Sequence, residues 1–295
     1  MMSSKALPLL LLAVLPLACP AQESQQTCSG LLRRGDFAMA IRLGLGAGGY
    51  EGLMCAGRAQ LAIEDYTGAS KTYAELEKIA VEPFQQMVAN AFRARAAKGL
   101  GDTQGALAFY ERGLDLARSL KQSQAIMTSL NESGQVLQSR GDLKSALERY
   151  REAYHHAAND NERSECHHLI AFAYSALADH DKAIEHQLKS VMLEERSGDL
   201  DHYLAARMGL AEVSIRAKDM ARAQREIEES LPIAQVNDNA YWEARVLMIS
   251  ARLEQVRGNS ERYRAVLEQA RIAAEQSGDP KLLKEVGNMS GMVGP

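Results

Sequence analysis

Aromatic residues are scarce in this 295-residue chain: Phe, Trp and Tyr together make up 5%, with a single tryptophan. Ala, Leu, Glu, Gln and Arg are plentiful instead, and these favour helix. No stretch alternates apolar and polar residues as a half-buried strand requires. Charge of one sign is missing too. Lys and Arg number 34 against 38 Asp and Glu, a formal net charge of −4, and no long block carries one sign. That balance excludes nucleic acid as a partner, because binding phosphates needs a basic surface. Beyond the N-terminus no apolar run is long enough to cross a bilayer.

The N-terminus is the exception. Lys5 precedes an apolar run, "ALPLLLLAVLPLA", over residues 6–18, and Cys19-Pro20-Ala21 supplies small residues before a cut after Ala21. This pattern predicts a signal peptide over residues 1–21 and an extracytoplasmic protein, in the bacterial periplasm or secreted. A rival reading is a lipid anchor at Cys19, whose preceding Pro16-Leu17-Ala18 fits a lipobox only in part. After cleavage no transmembrane segment is expected. Cys28, Cys55 and Cys166 remain. In an oxidising compartment the economical pairing is Cys28 with Cys55, leaving Cys166 free; the alternative is three buried, reduced cysteines.

Between Cys28 and Cys55 lies "RLGLGAGGYEG", in which Gly44, Gly46 and Gly49 fit G-x-G-x-x-G and Asp65 follows at a ribose-binding distance. A dinucleotide site needs a strand ahead of such glycines. Here "DFAMAIRL" precedes them, with Phe37, Ile41 and Leu45 at helical spacing. The stretch is therefore expected to end a helix and turn the chain.

What the chain does contain is a recurring phrase. Gly-Asp or a near equivalent is followed four residues after the acid by Ala, and often by Tyr four later: Asp36 and Ala40; Asp65, Ala69 and Tyr73; Asp102, Ala106 and Tyr110; Asp142, Ala146 and Tyr150; Asp179 and Ala183; Asp219 and Ala223; and finally Asn259 with Tyr263 in place of the alanine. Seven residues before each turn stands a small residue: Cys28, Gly57, Ala94, Gly134, Ala171, Ala211 and Ala251. A small residue in one helix and an alanine in the next allow two antiparallel helices to approach closely, and Gly-Asp supplies a helix stop and then an N-terminal cap. The larger residue one turn after the alanine would fill the gap toward the next pair.

This phrase resembles the tetratricopeptide repeat, most specifically in "SGQVLQSRGDLKSALERYREA" at 133–153. The alanines step by 29, 37, 40, 37 and 40 residues, longer than the family's basic period of about 34, so the chain looks like the variant with extended helices. The resemblance implies an all-α, right-handed α-solenoid of about seven antiparallel hairpins over residues 22–277. A capping helix near 279–287, with Pro280 in its first turn, and a flexible tail would complete residues 278–295.

It also implies a non-enzymatic scaffold, without cofactor, that binds a peptide or protein partner along the first helices of the hairpins. The residue after each small one is expected to face that groove: Arg58, Arg95, Gln135, Phe172, Glu212 and Arg252, joined on the same face by Lys98, Asn131, Gln138, His168 and Arg216. The basic N-terminal part would suit an acidic peptide or a free carboxylate. The family's lysine-and-asparagine clamp for chaperone C-termini is not found. An alternative is an extracytoplasmic sensor acting through a separate membrane partner. The histidines bear on that reading, since all seven fall between 155 and 202, and His155, His156, Cys166, His167 and His168 are the candidates for a metal or pH-sensing site. Neither H-E-x-x-H, nor G-x-S-x-G, nor a phosphate loop ending in Gly-Lys-Ser/Thr occurs.

Overall fold

The computed structural model describes residues 27–291. The expected signal peptide and the alternative anchor residue Cys19 lie outside the described residues. Among those described there are fifteen helices and no strand. The chain divides at Ala80 into two compact units. The first holds two hairpins, α1 (Cys28–Arg33) with α2 (Phe37–Ala47) and α3 (Gly49–Ala62) with α4 (Tyr66–Ile79). The second holds five. They pair α5 (Pro83–Gly99) with α6 (Thr103–Ser119), α7 (Ser123–Ser139) with α8 (Leu143–His156), α9 (Asp160–Ala176) with α10 (His180–Ser197), α11 (Leu200–Arg216) with α12 (Met220–Val236), and α13 (Ala240–Val256) with α14 (Ser260–Ser277). A last helix, α15 (Pro280–Gly291), follows. No helix among the described residues is long and apolar enough to cross a membrane.

The seven turns inside the hairpins share one hydrogen-bond plan. In the first, the Gly35 N–H donates to Leu32 O and the Asp36 N–H to Leu31 O; the same pair recurs up to Gly258 with Gln255 and Asn259 with Glu254. This is the Schellman stop, and it needs a left-handed residue. Gly35, Glu64, Gly101, Gly141, Ala178, Lys218 and Gly258 all sit there, with φ between +59° and +82°. The acid that closes the stop also opens the next helix. Asp36, Asp65, Asp102, Asp142, Asp179, Asp219 and Asn259 each accept from the backbone N–H three residues on.

Small residues of the first helices meet the residue one turn after the alanine. A Cβ on Gly57 would lie 2.5 Å from the Tyr73 ring, and one on Gly134 2.5 Å from the Tyr150 ring. Tyr110 and Tyr150 also reach the first helix of the next hairpin, at Val136 and at Ile170 and Ala173. Gln187, Ile227 and Leu267 take the tyrosine's place in α10, α12 and α14, all buried. Gln187 satisfies its amide by donating to the Ala206 carbonyl at 2.9 Å. In the second unit α7 packs on α9, α9 on α11 and α11 on α13, so the first helices form a continuous row.

The glycine stretch ends a helix and turns the chain, as its residues suggest: α2 runs through Gly44 and Gly46 to Ala47, and the chain turns at Gly48 and Gly49, with φ +61° and +63°. Gly44 stays in the helix because α3 crosses it so closely that a Cβ would lie 2.5 Å from the Gly52 carbonyl oxygen. One expectation is corrected: the tail is helical as far as Gly291. Asp279 caps α15 by accepting from Leu282 N at 3.1 Å, Leu282 and Val286 are buried, and Tyr263 donates its hydroxyl proton to the Met289 carbonyl at 2.8 Å. Residues 292–295 lie outside the described residues.

Candidate functional site

An open cavity of about 540 Å³ lies in the second unit, on the row of first helices and α15. Helical spacing aims its walls. His168 and Phe172 stand one turn apart on α9; Ala205, Met208, Gly209, Glu212 and Arg216 make a stripe on α11; Tyr241, Trp242, Arg245, Met248, Ile249 and Arg252 make another on α13; Glu285 and Met289 close it from α15. Five of the sequence-nominated residues, His168, Phe172, Glu212, Arg216 and Arg252, are thus brought together. Gly209 permits the close approach, since a Cβ there would fall 2.6 Å from Gln187 Nε2 and 3.0 Å from His168 Nδ1.

The cavity has both apolar and charged walls. Methionines and aromatic rings give an adaptable surface. His168 stacks near Phe172, centroids 4.6 Å apart, and burial holds its imidazole below the usual histidine range, against a hydrogen bond to Gln187. The buried Glu212 carboxylate accepts from Arg216 at 2.9 Å and pairs with Arg252 at 3.0 Å. Arg245 pairs with Glu285 at 2.8 Å, and its guanidinium lies over the face of Tyr241, 5.4 Å from the ring centroid. Three guanidinium groups therefore share two carboxylates. The Arg216 and Arg252 side chains stay 41% and 49% exposed, so they are held in place yet open to a ligand. Trp242, half-buried, donates its indole N–H to Asp201 at 2.6 Å and meets Tyr241 edge-on. Such a surface suits a segment with a large apolar side chain and a carboxylate.

Sequence reasoning missed Tyr241, Trp242, Arg245 and Met248. They lie one to three turns before Arg252 on α13, so the spacing that reached Lys98, Asn131, Gln138 and Arg216 on other first helices would have reached them.

The other nominated residues lie elsewhere. Arg58, in the first unit, is exposed. Arg95 forms a bidentate pair with Glu132, 2.7 Å at the shortest, and Lys98 donates to Gln135 at 2.7 Å. The expected basic N-terminal groove is thus answered, within the second unit, by an acid from the next hairpin. Gln138 accepts the Tyr150 hydroxyl proton at 3.0 Å. Asn131 is not on an open face. It is 1% exposed, because α9 covers it, and its amide meets Cys166 Sγ at 3.7 Å.

The metal candidates are dispersed. Cys166 is buried, and burial pushes its thiol up to about 11, despite a hydrogen bond from Asn131 that acts the other way. His167 turns to His186, Nδ1 to Nδ1 3.0 Å, rather than to Cys166. His168 faces the cavity, and His155 and His156 end α8. No group of three or more such side chains among the described residues is placed to hold a metal ion. Cys28 and Cys55 form a disulfide, Cα–Cα 5.6 Å.

Comparison with known proteins places this geometry. The tetratricopeptide-repeat profile matches residues 164–196, which cover most of α9, its turn and most of α10. Outer dynein arm-docking complex subunit 4 of Homo sapiens is 24% identical over 201 residues, 68% of this chain; the match spans 30% of that protein's length. A tetratricopeptide repeat protein of Parabacteroides merdae superposes with a TM-score of 0.60 at 17% identity, over 90% of this chain and 98% of that one. A Rap protein complexed with competence and sporulation factor gives 0.60 at 12% identity, over 92% and 87%. Residues 164–196 thus carry a tetratricopeptide repeat, the hairpins around it share its turn, cap and small-residue plan, and the fold is that of tetratricopeptide-repeat proteins.

Proposed function

We propose that this protein is a non-enzymatic scaffold of the extracytoplasmic space that binds a segment of a protein partner in the cavity lined by α9, α11, α13 and α15. The observation that carries this reading is the convergence of Phe172, Tyr241, Trp242 and three partly exposed arginines on one recess. Large rigid aromatic anchors beside arginines are what interface hot spots consist of. The Rap complex and the docking subunit are relatives whose names describe assemblies, in keeping with a binding role. The N-terminal apolar run and the Cys28–Cys55 disulfide support export to an oxidising compartment.

Trp242 is the only tryptophan in the chain, so its fluorescence reports on this recess. Peptides selected from a displayed library on the wild-type protein are expected to be rich in a large apolar residue beside an acid and to shift that fluorescence. Arg216→Glu/Arg252→Glu should weaken them at least about tenfold, while Arg58→Glu leaves them unchanged. Selected peptides that leave the fluorescence untouched, and bind the double variant as well as wild type, would sink the reading.

A further inference from the structure

Beside the first cavity lies a second, of about 590 Å³, between α9, α10 and α11. His168 and Ala205 line both, so the two recesses are contiguous. Their chemistry is opposite. Glu162, Glu165 and Glu194 line the second recess, and no Lys or Arg among the described residues does. Glu162 is already engaged: its carboxylate accepts from the Ala158 N–H at 2.6 Å and from the Asn159 amide at 3.1 Å. Glu194 is not. The residue is only 5% exposed; Oε2 accepts from the Ser197 hydroxyl at 3.1 Å, and Oε1 has no donor among the described residues. His202 makes no hydrogen bond to it: its Nδ1 lies 4.0 Å from Glu194 Oε2 and meets the Asn161 amide at 3.2 Å. A buried carboxylate with no cation hydrogen-bonded to it is costly, and a ligand that brings one relieves that cost.

The Glu165 carboxyl points the same way. Although the residue is exposed, partial desolvation of its carboxyl raises it above the usual carboxylate range, and the charges of Glu132 and Glu162 push it further, against a hydrogen bond from Asn131 and the opposing influence of His202. Ala205 and Ala206 leave room beside Ser164 and Ser190, whose hydroxyls satisfy each other at 2.8 Å. The space holds a lysine side chain with several waters. An ammonium offers three donors and no acceptor, which matches a wall of carboxylate oxygens.

We propose that this recess is a subsite for a protonated amine, the α-amino group or a lysine side chain of the segment bound in the neighbouring cavity. This rests on the peptide-binding reading above and gives the ligand a polarity: its cation lies against α9–α11 and its apolar and acidic part against α11–α15.

The test uses the mature full-length protein and two probes. One is a positional-scanning octapeptide library made with free and with acetylated N-termini. The other is spermidine, titrated by calorimetry at fixed ionic strength. Circular dichroism confirms that Glu165→Gln/Glu194→Gln is folded. The expected result is selection of Lys, Arg or a free N-terminus at one position by wild type, lost about ten- to hundredfold in the double variant. Peptides retained with no preference for a cation, together with equal spermidine binding by both proteins, would overturn the subsite and leave the peptide reading standing. Spermidine bound by wild type alone, with no peptide retained by either, would keep the amine site and remove the peptide reading. Neither probe bound would remove both.

Discussion

Tyr150 lies directly against Gly134, so that a Cβ on the glycine would stand 2.5 Å from the ring carbon Cε1. Gly134→Ala should therefore destabilise the second unit by about 1–3 kcal/mol, by overpacking. The lower end is expected, because α5 and α6 accommodate Ala94 in the same core cluster as Tyr110. Tyr150→Ile should open a void and lose the hydrogen bond to Gln138. The pair Gly134→Ala/Tyr150→Ile recreates the combination found at Ala211 and Ile227. It should cost less than the sum of its parts, and urea denaturation of the four proteins measures that coupling.

Three of the seven turn positions carry a side chain in a left-handed backbone: Glu64, Ala178 and Lys218. An L-residue there is disfavoured by about 1–2 kcal/mol, against a smaller entropic loss for glycine. Each change to glycine should stabilise its unit by about 0.5–1 kcal/mol. The same change at Leu177, whose backbone is right-handed and caps α9, should not. Chemical denaturation separates the two classes.

The Cys28–Cys55 disulfide closes a separation of 27 residues within the first unit. Chain-entropy arguments put its contribution at about 3 kcal/mol. Cys28→Ser/Cys55→Ser, or a reductant, should make residues 27–80 sensitive to protease at temperatures where residues 81–291 resist. Equal resistance of the oxidised and reduced forms would deny the bridge a stabilising role.

His167 and His186 should make stability pH-dependent. Burial lowers the His167 imidazole to about 4, with His186 and Lys189 adding to the effect and Glu185 opposing it. Burial and then Lys189 lower His186 as well, again against Glu185. Their folded values lie below the ordinary value of about 6.5, so both rings are neutral at pH 7 in either state. As pH falls from about 6.5 toward 4, the unfolded chain takes up protons that the folded chain refuses, and stability is lost across that window. Discounted for the partial exposure of both rings, the loss is about 1 kcal/mol, or about 2–4 °C in melting temperature. His167→Asn/His186→Asn should flatten the profile between pH 6.5 and 4.

The hairpin plan was legible because its marks are local. A left-handed stop, a capping acid and a small residue seven positions earlier are all close in sequence, so Gly141, Asp142 and Gly134 announce their turn without knowledge of the rest of the chain. The site was legible only where it follows the same register, as at Phe172, Glu212 and Arg252. Charge balance was not: Glu132 neutralises Arg95 from 37 positions away, and a single sequence does not reveal which of many acids does so. Asn131 shows the same limit. Its spacing from Gly134 fits a groove face, yet the packing of α9 over α7 buries it. The glycine stretch was legible as a helix end and turn, but not the point at which the helix stops, because the close crossing that Gly44 permits lies between two helices and leaves no mark in the spacing.

Glu285 and Met289 belong to α15, which covers the last core cluster and also walls the cavity. Repeat arrays commonly lengthen by duplicating a hairpin. A hairpin inserted between α14 and α15 would carry those two residues away from Arg245 and Trp242 and dismantle the recess. One inserted ahead of α9 would leave every wall in place. The position of the site thus gives this array a direction of growth: its evolutionary freedom lies upstream, and relatives that keep the cavity should differ in the number of hairpins before α9 and not after it.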